Sequence, residues 1–163
     1  MFYGFTTFHL HSESFINLQH IKMNTKQKLA FEIALSQYGI KERQGGENYE
    51  ILKYFREIGF PEIKEDEVPW CSAFVNWCVM KAGLPITKNL AARSWLGWGK
   101  KVMVPEIGDI AVFKRGTMGW QGHVGFYVKN DGFYVWVLGG NQSDEVRISK
   151  YPGTELLGYR RYE

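Results

Sequence analysis

The sequence predicts an α+β fold in which N-terminal helices pack against a C-terminal antiparallel β-sheet. Apolar residues recur at helical spacing in the first half of the chain, whereas short β-branched and aromatic runs, separated by turn residues, fill the second half. Asn130-Asp131-Gly132 lies between two such runs and is typical of a hairpin turn. Helices followed by strands, without alternation, favour one antiparallel sheet packed on the helices.

Three helices are predicted ahead of the strands. They cover residues 25–39, residues 49–59 and Cys71 to about Lys81, and glycines stand where each of them ends. Pro69 comes just before the third helix, where the N–H that proline lacks is not needed. A short helix and a glycine-rich turn are then expected in the segment NLAARSWLGWGKK.

Four strands are predicted after that turn, because four apolar runs are bounded by glycine, asparagine or aspartate. The runs are GDIAVFKR, HVGFYVK, GFYVWVLGG and EVRISKY. An antiparallel sheet buries one face against an apolar partner, and the strongly apolar third helix (CSAFVNWCVM) is expected to be that partner.

Length and composition indicate one globular domain. The chain has 163 residues, of which 45% are hydrophobic and 23% charged, and we assign the domain to residues 23–163. Residues 1–22 are interpreted as an N-terminal extension, either the product of an upstream start codon or a flexible arm. They lack the features of a secretory signal, and no segment of the sequence is predicted to span a membrane. A net charge of +3 gives no indication of nucleic-acid binding.

The two cysteines predict neither a disulfide nor a metal site. Cys71 and Cys78 are seven residues apart, which in one helix separates their Cα atoms by about 10 Å. A disulfide requires less than about 7 Å. The sequence contains no CxxC or HExxH motif, and three of the four histidines lie in the N-terminal extension. We therefore expect no metal and no cofactor.

Cys71 is the candidate nucleophile. It would occupy the first turn of the third helix, where the positive end of the helix dipole favours the reactive thiolate. We expect its side chain to be at least partly exposed, because charged loop residues precede it. A free cysteine is more often a small buried hydrophobe, and Cys78, two turns deeper in the helix, fits that description better.

His123 and Asn141 are the candidate general base and orienting group. His123 begins an apolar strand, GHVGFYV, and Asn141 lies in the glycine turn GGNQ. The Asn141 side chain would accept a hydrogen bond from the second ring nitrogen of His123 and so fix its tautomer. Each residue also has a simple structural interpretation: His123 would be an exposed residue at the start of a strand, and Asn141 an ordinary turn residue. Gln142 could serve in place of Asn141.

Substrate-binding residues are sought among the aromatic and amide side chains near these positions. We assign this role to Trp70, Trp95, Trp120 and Gln142. Packing in the core is the alternative for at least two of the tryptophans. Asp109 heads a strand, where a local turn hydrogen bond is a simpler expectation than catalysis. The run Glu65-Asp66-Glu67 would recognise an amine, repel anions or form a solvated loop.

Several blocks of the sequence resemble, in the same order, the NlpC/CHAP-type cysteine peptidases and amidases of a subgroup associated with phages and bacteria. The blocks are WCSAFVNW, LAARSWLGWGKK, GDIAVFKRG, GHVGFYV, VLGGNQS and LGYRR, and the similarity extends from about Thr25 to the C-terminus. The resemblance implies a papain-like fold, with the nucleophile at Cys71, the base at His123 and the third polar residue at Asn141. Some CHAP relatives have a glutamate just before this asparagine, where the present chain has glycine.

The same resemblance implies hydrolysis of an amide bond in peptidoglycan, through an acyl-enzyme, by an endopeptidase or an N-acetylmuramoyl-L-alanine amidase. A phage lysin and a bacterial wall-degrading effector both fit. The alternatives are an inactive wall-binding module and a deamidase- or transglutaminase-type enzyme that acts on protein. We expect a monomer that is made in the cytoplasm, reaches the periplasm or wall through a holin or a secretion apparatus, and has an immunity protein as a further partner. The acidic run lacks the spacing of a calcium-binding loop.

Overall fold

Three α-helices precede a six-stranded antiparallel sheet in the computed structural model, which describes residues 25–44 and 46–162. The helices are α1 (Thr25–Ser36), α2 (Tyr49–Glu57) and α3 (Cys71–Lys81). The strands are β1 (Lys100–Val102), β2 (Ile110–Lys114), β3 (Gly122–Asn130), β4 (Tyr134–Gly139), β5 (Arg147–Pro152) and β6 (Leu156–Arg161). The predicted α+β class is confirmed, whereas the proposed extension over residues 1–22 lies outside the described residues.

The strands lie in the order β1-β6-β2-β3-β4-β5, and neighbouring strands are antiparallel. The four predicted strands correspond to β2, β3, β4 and β5. The predicted hairpin joins β3 to β4, and its Asp131 carboxylate accepts hydrogen bonds from the N–H groups of Phe133 and Tyr134. Two strands were not predicted from the sequence. Strand β1 has only three residues, and in β6 (LLGYRR) glycine and two arginines interrupt the apolar pattern.

Helix α3 lies at the centre of the fold. Residues 71–79 are all buried, because α1, α2 and the strands β3 and β4 pack around the helix. Tyr54 of α2 contacts Phe74 and Trp77 of α3, with ring centroids 5.3 and 5.1 Å away. A helix without a polar face requires neighbours on every side. This environment holds Cys71, the first residue of α3, inside the protein.

Polar side chains of α3 bind the loop that follows the helix. The Ser72 hydroxyl donates to the Asn89 carbonyl at 2.7 Å and accepts from Trp95 Nε1 at 3.0 Å. The Asn76 side chain accepts from the Thr87 N–H at 2.8 Å. These buried polar groups are therefore satisfied, and they fix the first two turns of α3 relative to the loop. Among the described residues, no helix is long and apolar enough to cross a membrane.

A buried carboxylate fastens β6 to the rest of the sheet. Asp109 is 1% exposed and accepts from Nε and Nη2 of Arg161 at 2.8 and 2.7 Å. It also accepts from the Glu106 N–H at 2.7 Å, which confirms the predicted turn hydrogen bond. Asp109 is thus a structural residue.

Gly140 packs directly on the Trp70 ring, and this contact joins the turn after β4 to the start of α3. A Cβ atom at position 140 would lie 2.4 Å from Cζ3 of Trp70 and 2.9 Å from Cβ of Phe74. The Trp70 ring is fully buried, and its Nε1 donates to Glu42 Oε1 at 2.8 Å, so it has little freedom to withdraw. Only glycine fits here without displacing the turn.

We expect Gly140→Ala to lower the free energy of unfolding by about 1–3 kcal/mol, because the added methyl group overpacks against Trp70. Urea unfolding, followed by tryptophan fluorescence, measures the change. Gly119→Ala is the matched control, since nothing lies within 4 Å of a Cβ atom at that position. Equal losses of stability in the two variants would contradict the packing explanation.

Candidate active site

Cys71 begins α3, and no side chain caps this end of the helix. The first hydrogen bond of the helix runs from the Phe74 N–H to the Trp70 carbonyl at 2.9 Å. The N–H groups of Cys71, Ser72 and Ala73 therefore have no partner within the helix. Such groups stabilise negative charge at a helix start. The predicted position of Cys71 on its helix is confirmed.

The Cys71 side chain is 6% exposed, and the backbone N–H of Val124 in β3 donates toward its sulfur. Burial raises the pKa of the Cys71 thiol, and the N–H groups of Val124 and Ser72 lower it only in part. The sequence predicts a partly exposed cysteine with a favoured thiolate, and both predictions are wrong. The reason is that β3 and the turn containing Gly140 cover the first turn of α3.

His123 lies near the start of β3 with its imidazole 1% exposed. The imidazole stacks on the Tyr151 ring, with 4.8 Å between the centroids and 27° between the planes. Phe113, the cross-strand partner of His123, contacts the same Tyr151 ring at 5.0 Å. Val124, which donates toward the Cys71 sulfur, directly follows His123 in the chain. The Cys71 thiol therefore lies beside the start of β3, the strand that carries the imidazole.

The buried side-chain amide of Gln142 has a determined orientation. Its nitrogen donates to three backbone carbonyls, those of Val137, Gly139 and Arg147. Its oxygen lies 3.0 Å from Nε2 of His123 and accepts from the Tyr151 hydroxyl, also at 3.0 Å. Because an amide oxygen only accepts hydrogen bonds, Nε2 of His123 must be the protonated ring nitrogen.

Nδ1 of His123 is therefore the nitrogen with a free lone pair. It is buried and has no hydrogen-bond partner among the described residues. Burial lowers the pKa of His123 to about 4, although the hydrogen bond with Gln142 acts in the opposite direction. The ring is neutral at pH 7, and its Nδ1 is free to take a proton from a neighbouring group.

The amide that binds His123 belongs to Gln142. The sequence-based assignment of this role to Asn141 is therefore wrong. Asn141 has a left-handed backbone with φ 55°, is only partly buried and lines the cleft described below. The turn directs the next side chain, Gln142, into the interior, where it is 2% exposed. Nothing in the spacing of the motif distinguishes these two adjacent amides. The one chemical indication of Gln142 in the sequence is that its side chain, like that of Asn141, ends in an amide that can accept a hydrogen bond from the imidazole.

A cleft of about 450 Å³ leads to the imidazole. Its lining includes Arg115, His123, Asn141, Lys150 and Tyr151. His123 belongs to the lining of this cleft, whereas Cys71, which is 6% exposed, is not among the lining residues.

The tryptophans assigned to substrate binding lie in different environments. Trp70 and Trp95 are fully buried, and their Nε1 atoms donate to Glu42 and Ser72. Neither ring faces solvent, so that assignment is wrong for both of them, and the core interpretation holds. Trp120 is 72% exposed in the loop between β2 and β3, where a substrate contact stays a prediction.

Acidic side chains line a second, larger cleft of about 1010 Å³, which includes Glu42, Glu67 and Asp144. Asp66 of the acidic run is 3% exposed and accepts from the Asn48 N–H at 2.7 Å, so it stabilises the loop before α2. Across residues 25–44 and 46–162, no group of three or more His, Cys, Asp or Glu side chains is arranged to hold a metal ion.

Residues 63–141 match the CHAP domain family. The matched segment contains Cys71, His123 and Asn141 and ends one residue before Gln142. A comparison with curated proteins gave no match.

Two solved structures share the fold. A protein of the NLP/P60 family from Staphylococcus aureus, described as similar to a lipoprotein, has 16% sequence identity and a TM-score of 0.55 over 89% of this chain. The P60 domain of an antigen from M. avium subspecies paratuberculosis has 14% identity and a TM-score of 0.50 over 84% of this chain. The chain spans 45% of the staphylococcal protein and 93% of the mycobacterial domain. The predicted papain-like architecture is thereby confirmed.

We expect the neutral His123 ring to carry its proton on Nε2 and to titrate near pH 4. Nitrogen-15 chemical shifts of the imidazole, recorded between pH 3 and pH 8, distinguish the two tautomers and give the pKa. A ring protonated on Nδ1, or one that titrates near its ordinary value of 6.5, would contradict the hydrogen-bond assignment.

The lowered pKa of His123 also predicts how stability depends on pH. Between pH 6.5 and about 4 the unfolded chain binds a proton at this residue and the folded chain does not. The free energy of unfolding should therefore fall by about 3 kcal/mol as the pH is lowered through this window. Chemical unfolding at several pH values measures this loss, and His123→Gln should reduce it.

Proposed function

We propose that the chain hydrolyses an amide bond of a peptidoglycan peptide. The match of residues 63–141 to the CHAP domain and the NlpC/P60-like fold support the NlpC/CHAP-type cysteine peptidase superfamily. Cys71 is the proposed nucleophile, His123 the general base and Gln142 the residue that orients the base. The family supports the coarse activity of a peptidase or amidase, and the roles of the residues are our assignment.

One observation supports this function above all others, the free lone pair on Nδ1 of His123. The hydrogen bond to Gln142 assigns the ring proton to Nε2, so Nδ1 is the basic atom of a neutral imidazole. A merely structural histidine in so buried a position would be expected to have partners for both nitrogens. A cysteine hydrolase requires such a basic nitrogen near a thiol, and here β3 carries the imidazole while its Val124 N–H donates toward the thiol at the uncapped start of α3.

The first half of the reaction acylates the thiol. As the Cys71 sulfur attacks the amide carbonyl carbon, its proton moves to Nδ1 of His123. The negative charge that develops on the carbonyl oxygen is stabilised by N–H groups at the start of α3. The imidazolium then gives the Nδ1 proton to the amide nitrogen, the C–N bond breaks, and the amine leaves a thioester on Cys71.

The second half releases the acyl group. Nδ1 of His123 takes a proton from water as the water oxygen attacks the thioester carbon. The C–S bond then breaks, the proton returns to the sulfur, and the product leaves as a carboxylic acid. In both halves the imidazolium is stabilised by the Gln142 oxygen and by its stacking on Tyr151.

The finer features of this function are also proposals. The scissile bond is either within the wall peptide or between the lactyl group and L-alanine, as in an endopeptidase or an N-acetylmuramoyl-L-alanine amidase. We propose a monomer that acts in the cell wall or periplasm after delivery by a phage or a secretion apparatus. A holin or an immunity protein is the partner that accompanies a lysin or a delivered effector.

The wall-binding alternative is weakened by the tryptophans. An inactive module that binds the wall through exposed rings needs several of them, yet Trp70, Trp95 and Trp98 are buried. The deamidase or transglutaminase alternative requires the same Cys–His chemistry, so the test of substrate decides between it and the wall hydrolase.

We expect Cys71→Ala to reduce the release of amines from purified peptidoglycan by at least about 1000-fold, because no other group supplies the nucleophile. Mass spectrometry of the soluble fragments identifies the bond that is cleaved. Cys78→Ala is the matched control: Cys78 is fully buried in the core, and this variant should retain the activity once folding is verified. Equal digestion by the wild type and Cys71→Ala would refute the proposal, and turnover of protein glutamines alone would favour the deamidase.

Gln142→Leu should lower kcat by about 100-fold or more, because the imidazole loses the acceptor that fixes its tautomer. Asn141→Gly is the matched control, since glycine adopts the left-handed backbone of that residue without strain. We expect this control to keep kcat within about threefold of the wild type. A larger loss in Asn141→Gly than in Gln142→Leu would return the orienting role to Asn141.

A further inference from the structure

The cleft that leads to His123 has a cationic wall. Lys114, Arg115 and Lys150 line it, and Glu155 is the acidic side chain in the lining. The ammonium group of Lys150 lies over the rings of Tyr134 and Trp136, at 4.6 and 5.6 Å from their centroids, so it is directed to those rings.

Arg115 differs from the two lysines in its relation to the reacting groups. It is exposed at the end of β2, and no carboxylate in the described part of the chain forms an ion pair with its guanidinium. Burial dominates the pKa values of Cys71, His123 and Tyr151, and the charge of Arg115 lowers all three. Its positive charge is therefore within electrostatic range of the thiol, the imidazole and the ring that supports the imidazole.

The positive charge is local to this cleft and is not a property of the whole surface. The neighbouring cleft, which includes Glu42, Glu67 and Asp144, is mainly acidic, and the two clefts share Ser143. A net charge of +3 for 163 residues would not by itself produce such a separation. The part of the substrate that contacts Arg115 should consequently be negatively charged.

We propose that Arg115 binds a carboxylate of the substrate next to the amide that is cleaved, and that it makes the protein select acidic wall peptides over amidated ones. This inference rests on the proposed function and names a specificity-determining residue for it. A guanidinium presents two parallel N–H donors to a carboxylate, whereas a lysine ammonium acts as a point charge. Arg115 has an exposed guanidinium with no ion-pair partner in the described part of the chain, and it lines the same cleft as His123, which is the position this role requires.

The test compares soluble wall peptides with the same peptides after their carboxyl groups have been converted chemically to carboxamides. For the wild type, kcat/KM should be about 10- to 100-fold higher on the acidic peptides. This is the difference that one charge-assisted hydrogen bond produces. Arg115→Gln should remove this preference by lowering kcat/KM on the acidic peptides, mainly through KM. Arg115→Lys should restore part of it.

Lys101→Gln is the matched control, because it removes one exposed positive charge on β1, outside the cleft. We expect this variant to keep the full preference for acidic peptides. Raised ionic strength should weaken the preference of the wild type more than that of Arg115→Gln.

The outcomes separate the two proposals. Cleavage of both peptide sets by the wild type with equal kcat/KM would overturn the role of Arg115 and leave the hydrolase proposal intact. An equal loss on both sets in Arg115→Gln would also overturn it, since Arg115 would then act on the thiol or the imidazole. Failure of the wild type to cleave either set would refute the hydrolase proposal itself.

Discussion

The side-chain amide of Gln142 has one allowed direction, and the candidate active site depends on it. Its nitrogen donates to backbone carbonyls of both β4 and β5, so its oxygen faces the His123 ring. A reversed amide would place its oxygen against these buried carbonyls and leave them unpaired, at about 1–3 kcal/mol for each such group. The backbone carbonyls that accept from the Gln142 nitrogen thus set the direction of the amide, and the amide oxygen then determines which imidazole nitrogen is basic.

Packing positions the thiol at the start of α3, beside strand β3. Nδ1 of His123 has no hydrogen-bond partner among the described residues, and Cys71 is held by the core around α3. The contact of Gly140 with Trp70 fixes the distance between the turn that contains Gln142 and the helix that begins at Cys71. Because protein interiors are dense and resist compression, this contact keeps the turn that contains Gln142 at a fixed distance from the start of α3.

The sequence predicts those features that local patterns determine. A proline before an apolar helix locates Cys71 at a helix start, and an apolar run after glycine locates His123 near a strand start. The pattern does not separate Asn141 from Gln142, because only the backbone of the turn, left-handed at position 141, decides which amide points inward. The Trp70 ring packs against Gly140, seventy residues further along the chain, and no local periodicity in the sequence predicts such a contact.

Burial outweighs the helix dipole at Cys71. A helix N-terminus stabilises a charge by about 0.3–1 kcal/mol, whereas full burial shifts a pKa by up to about 3–5 units at about 1.4 kcal/mol per unit. The thiolate of Cys71 and the imidazolium of His123 are both penalised, so the resting pair is neutral at pH 7. In the reaction that we propose, transfer of the proton from sulfur to Nδ1 would create two opposite charges, while the N–H groups of α3 would stabilise the oxyanion. The two charges that burial disfavours would then form together in the transition state, where each stabilises the other.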